Sequence, residues 1–152
     1  MGEDMKICGM KSEYVLLTPL FVYMTKDPPP TLECSCAMES HRFAGATYPD
    51  EPAVRIGREV LRRFVDDFRA LERDRRGEAI LECRELRLAF WVTDQAGHVH
   101  LQAALTEHQS GGIHQVKVAF EVDPTSLPSI LADLEELLAF PRSDPSSTGF
   151  SL

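Results

Sequence analysis

Asparagine is absent from the chain, tryptophan occurs once, and lysine is rare beside a large excess of arginine. The arginine excess and the missing asparagine point to a GC-rich bacterial genome and carry no message about the fold. Four cysteines, Cys8, Cys34, Cys36 and Cys83, are too few and too irregular for the disulfide framework of a small secreted domain, so reduced thiols are expected. No apolar run approaches the roughly 20 residues of a membrane span. The start, MGEDMKICGM, lacks the basic-then-apolar order of a signal peptide, so a cytoplasmic address and no membrane partner are expected. Also missing are a Walker loop, G-x-G-x-x-G, H-E-x-x-H, G-x-S-x-G and C-x-x-C. Their absence argues against an enzyme without eliminating one, and no cofactor is expected.

Positive charge is short as well. The formal net charge is -8 and the pI about 5.1, which argues against nucleic acid, since its binders neutralise phosphates with Lys and Arg. Eight of the 16 bases lie between Arg55 and Arg76 against five acids, so that stretch sums to +3 and the remainder to -11. An acidic body favours a basic partner, although plain solubility is the commoner use of such a charge.

What is present is alternation. Leu86, Leu88, Phe90 and Val92 share one strand face, as do Val99, Leu101, Ala103 and Leu105, then Val116, Val118, Phe120 and Val122. A one-residue slip would turn a whole set to water, so these three runs predict an antiparallel meander with Phe90 opposite Leu101 and Leu101 opposite Phe120. Asp94–Gly97 fits a four-residue hairpin loop, and Ser110-Gly111-Gly112 closes the next hairpin. Glu78 to Cys83 leads into the meander.

Upstream, Leu32, Cys34, Cys36 and Met38 alternate with Glu33, Ser35, Ala37 and Glu39, which predicts a half-buried strand. Residues 13–24 are rich in β-formers, but Pro19 sits mid-run and demands an edge strand or two short strands. Gly45 reads as a bulge or bend, and residues 48–52 as a turn-rich connection. The placing of residues 1–55 stays open. Val60, Leu61, Phe64, Val65, Phe68 and Leu71 recur at spacings of three and four and predict an amphipathic helix over 56–73, with a Glu59–Arg63 pair and a stop at Arg75-Arg76-Gly77. A second helix should start near Thr125 or Ser126 as cap, with Pro128 in its first turn and an apolar stripe of Leu127, Ile130, Leu131, Leu134, Leu137 and Leu138. The sum is an α+β protein: an antiparallel meander with two amphipathic helices packed on one face. One domain over residues 1–141 and a loose polar tail over 142–152, where Phe150 is the one docking candidate, complete the expectation. No internal repeat is visible.

The register places His100 between Trp91 and Glu121 on the outward face, and His98 beside Thr93 and Asp123. Two His–carboxylate pairs on one surface are the material of a metal site or an acid–base pair. The simpler reading is a set of solvated cross-strand pairs, because no third ligand is evident. His41, His108 and His114 sit by loops or strand ends. Cys34 and Cys36 fall on the apolar strand face, where thiols act as small hydrophobes. Neighbouring helix positions point about 100° apart, so Asp66-Asp67 and Glu135-Glu136 do not converge as catalytic pairs. With Asp133, however, Glu135 and Glu136 make the last helix acidic outside. Trp91 is either an interface anchor or a residue covered by a second layer of N-terminal strands.

One resemblance bears on function. Glu85-Leu86-Arg87-Leu88, the Asp94-Gln95-Ala96-Gly97-His98-Val99 hairpin, Phe120-Glu121-Val122-Asp123, then Thr125, Ser126, Leu127-Pro128 and a leucine-striped helix ending in Phe140-Pro141 resemble the WapI-like immunity proteins of bacterial contact-dependent, polymorphic-toxin systems. The likeness runs over residues 56–141. It implies a non-enzymatic cytoplasmic antidote that occludes or holds inactive a cognate toxin. The residues offered for that contact are Trp91, His100, Glu121, Asp133, Glu135 and Glu136. The competing readings are a metal-binding protein or metal-dependent enzyme using His98 and His100, and a homodimeric subunit joined through a bare sheet face.

Overall fold

Alternating sequence becomes strand along most of the chain. The structure, a computed structural model, describes residues 4–23, 30–40, 43–48, 53–109 and 111–140. Among these, β1 (Met5–Cys8), β2 (Tyr14–Tyr23), β3 (Thr31–Ser40), β4 (Phe43–Ala46) and β5 (Val54–Gly57) precede helix α1 (Arg58–Asp74). Then β6 (Glu78–Glu82), β7 (Leu86–Val92), β8 (Val99–Gln109) and β9 (Gly112–Val122) lead through a short 3-10 turn (Pro124–Ser126) into α2 (Leu127–Leu138). Residues 141–152, His41 and most of the 48–52 connection fall outside the described residues, as do the tail and Phe150.

The predicted meander forms the second sheet, in the order β6-β7-β8-β9. Its register is the one the apolar faces require: Phe90 opposite Leu101, Val92 opposite Val99, Leu101 opposite Phe120 and Val99 opposite Val122. Gly97 closes the first hairpin at φ 86°, in the left-handed region where a side chain is disfavoured.

The upstream residues build a sheet of their own, also antiparallel. β1, β2 and β3 follow in order, and β3 is long enough to pair β5 along Thr31–Cys34 and β4 along Ala37–Ser40. Pro19 is accommodated because β1 flanks β2 only at residues 14–17, which leaves the proline's free side unpaired, and the register shifts just after it. Gly45 is no bulge. It pairs regularly with Met38, and its missing side chain lets β4 lie against β9: a Cβ there would stand 2.4 Å from Val116 Cγ2. The β1–β2 turn is pinned to the same strand, where the Met10 N–H donates to the Glu121 carbonyl at 3.2 Å.

A run of five strands is thus followed by α1, and a run of four by α2. α1 rests on β6 and β7 through Leu61, Phe64, Val65, Phe68 and Leu71, with Phe68 edge-on to Phe90 at 5.0 Å between centroids. Val60, expected in that stripe, is 41% exposed. Glu59 reaches Arg62 rather than Arg63, at 3.4 Å. The helix stops at Arg75, which itself takes the left-handed conformation and donates its N–H to Leu71. α2 lies against α1 and β1. Its stripe buries Leu127, Ile130, Leu134 and Leu137 and leaves Leu131 and Leu138 half-buried. Neither Thr125 nor Ser126 caps the entry with its side chain. Asp123 does, accepting the Thr125 N–H at 3.0 Å, which holds its carboxyl below the usual range. Buried residues from both sheets and both helices join in one apolar cluster.

Candidate functional site

The second sheet has two unlike faces. The inner one carries α1, and the outer one presents side chains in rows fixed by the register. The first row runs Glu78, Trp91, His100, Glu121, each directly opposite the next. Ile80, Ala89, Gln102 and Ala119 form the second, and Glu82, Arg87, Ala104 and Lys117 the third. The N-terminal sheet packs against β9 through β3 and β4, and Trp91 stays half-buried on the outer face. Its ring and that of His100 lie 5.8 Å apart and 24° from parallel.

His98 stands at the end of this row. Its Nδ1 is 2.6 Å from Asp94 Oδ2 and its Nε2 3.9 Å from Glu121 Oε2, while its N–H donates to Asp94 Oδ1 at 3.2 Å. The expected partner Asp123 is occupied as the helix cap. Hydrogen bonding to Asp94 raises the imidazole above its ordinary 6.5, and the same contact lowers the Asp94 carboxyl. Thr93 is beside His98 as expected, bonding to its carbonyl. Among the described residues, no three His, Cys, Asp or Glu side chains converge where a metal ion could be held. At the far end of the face a shallow depression is lined by Arg87, Gln102, Ala104, Thr106, Gln115 and Lys117.

The six residues offered from the sequence fall into two groups. Trp91, His100 and Glu121 sit side by side. Asp133, Glu135 and Glu136 ride on α2, which lies beside α1 and so on the opposite side of the sheet. Glu135 is ion-paired to Arg69 of α1 at 2.8 Å. Five of the eight bases of the basic stretch are ion-paired, by Arg55–Glu33, Arg62–Glu59, Arg69–Asp66, Arg73–Asp74 and Arg75–Glu72. Glu78, not among those six, completes the Trp91 row. The alternation of β6 already pointed it outward, and only the β6–β7 register was needed to set it opposite Trp91.

Fold and site together define a two-sheet α+β protein with an aromatic, acid-flanked sheet face. The chain belongs to the WapI-like immunity protein family, whose model matches residues 58–141, the span from α1 through α2. No curated protein matches the chain. Among solved structures, one titled as crystal structures of Trypanosoma bruciei MRP1/MRP2 is similar over 100% of this chain and 90% of its own, at 13% identity and a TM-score of 0.45. No described helix is long and apolar enough to cross a membrane.

Proposed function

We propose that this chain is a cytoplasmic immunity protein that binds one cognate bacterial toxin domain and holds it inactive by occlusion, with no chemistry of its own. Family membership supports the class. The observation that supports the mode of action is the outer face of the β6–β9 sheet, where Trp91 and His100, both half-buried, lie between two carboxylates. Aromatic side chains with polar surroundings supply large contact area at low entropic cost, and an acidic rim steers a basic partner and makes its association salt-sensitive. The unit that folds and binds is residues 1–141.

The test is co-expression with the C-terminal domain of the frame encoded immediately upstream. Rescue of growth by this chain, and a complex whose association rate falls with added salt, are the expected results. Charge reversal at Glu78 and Glu121 should weaken the complex, and reversal at Glu135 and Glu136 separates the α2 surface from the sheet face. Failure of rescue with every adjacent frame would sink the immunity reading.

A further inference from the structure

The Glu78–Trp91–His100–Glu121 row has more chemistry than a generic contact patch. Residues directly opposite on antiparallel strands place their Cβ atoms about 5 Å apart, so the row spans roughly 15 Å. Its floor is the stacked Trp91–His100 ring pair, with centroids 5.8 Å apart and planes 24° from parallel. Glu78 stands at one end and Glu121 at the other, with Asp94 just beyond, linked to the row through His98. The outward bases of this face, Arg87 and Lys117, stand in the third row, four residues or about 13 Å along their strands. Arg87 is already drawn toward Glu82. Nearer cations sit on turns: Arg75 is tied to Glu72, Arg76 lies in the connection before β6 and Lys11 in the turn between β1 and β2.

Floor and walls favour the same ligand. The face of an indole is negative and attracts a cation, most of all a planar guanidinium that can stack on it. A carboxylate at the edge of that stack takes two parallel N–H bonds from the same group. An ammonium would use the charge and forgo both the stacking and the fork. A nucleobase would also stack on Trp91, but its phosphates would meet three carboxylates.

We propose that this row seats an arginine side chain of the protein partner, stacked on Trp91 and forked by Glu78 or Glu121. The proposal rests on the immunity reading for the partner's identity, and on the geometry of the row for its chemistry.

Because Trp91 is the sole tryptophan, its fluorescence reports the seat directly. The probe is a blocked octa-arginine peptide titrated into the full chain, with octa-lysine and a single-stranded octanucleotide as comparisons. Expected are saturable quenching by the arginine peptide and affinity several-fold above that of the lysine peptide. The Glu78→Gln/Glu121→Gln variant should weaken binding about tenfold. Glu135→Gln/Glu136→Gln should not change it, which separates the seat from diffuse attraction to an acidic protein. Circular dichroism melts of each variant check folding, and Trp91→Phe, read with a labelled peptide, keeps an aromatic floor for comparison. Equal affinity for both peptides, indifference to Glu78 and Glu121, or preference for the oligonucleotide would overturn the proposal. If wild-type protein rescues cells from the upstream toxin and Glu78→Gln/Glu121→Gln rescues equally well, the seat is wrong and the immunity reading stands. If rescue fails throughout, the immunity reading falls and the peptide titration still decides the seat.

Discussion

At Gly45 the two sheets touch where a methyl group has no room. An added Cβ would meet the Val116 side chain, whose branch cannot swing away as a long flexible chain would. Gly45→Val should therefore destabilise by about 1–3 kcal/mol, the usual cost of overpacking, seen as a lower urea midpoint with an unchanged slope. Sequence offered only a bulge or a bend at this position, because the reason for the glycine lies on a strand far along the chain. His98 teaches the same lesson more gently. Its outward placing was readable from alternation, whereas the choice of Asp94 over Asp123 depended on how the hairpin loop curls. The His98–Asp94 contact has a definite pH signature. A raised imidazole stabilises below its ordinary value and the gain is lost as pH rises through its folded value; a lowered carboxyl stabilises above its ordinary value and loses the gain on acidification through its folded value. The pair thus acts between the two titrations. Proton resonances of the His98 ring should titrate above 6.5 in the native protein, and Asp94→Asn should bring them back toward that value.

Among the elements, α1 is held to the second sheet by aromatic contacts and to α2 partly by charge, and these should behave very differently. Phe90 is fully buried against Phe64 and Phe68. Phe90→Ala should cost about 3–5 kcal/mol, since the cavity cannot close between a sheet and a helix, and a chemical denaturation curve would measure it. Arg69 joins α1 to Glu135 with both side chains nearly half exposed, so Arg69→Ala should cost less than about 1 kcal/mol. The meander and both helices were legible because each buries one regularly spaced stripe. Val60 misled because it borders that stripe, and a period of 3.6 cannot say where a neighbour's coverage ends. The N-terminal strands resisted for a different reason: β3 shares one edge between β4 and β5, an arrangement that no local alternation encodes.

For the whole molecule, the apolar cluster spanning both sheets makes the interior thiols inert. Cys34 and Cys36 are buried, and desolvation pushes each up to about 12. Cys83, half-buried, is shifted the same way, while Cys8 is exposed. Thiolate is the reactive form. A thiol reagent at mildly alkaline pH should accordingly titrate Cys8 quickly and reach Cys34 and Cys36 only with global unfolding, and fast reaction of all four would contradict this packing. A tandem of strands and helix, repeated without any repeat in the residues, was invisible in the sequence because alternation sets which way a side chain points and leaves open how two sheets dock.

That docking places α2 on β1, so the last helix described touches the first strand. During synthesis the inner faces of Met5 and Ile7 have no lid until residues beyond 127 have cleared the ribosome. The early strands can pair with one another as they emerge, but the contact of β1 with α2 joins residues nearly a whole chain apart and so closes late, after a long loop has been drawn in.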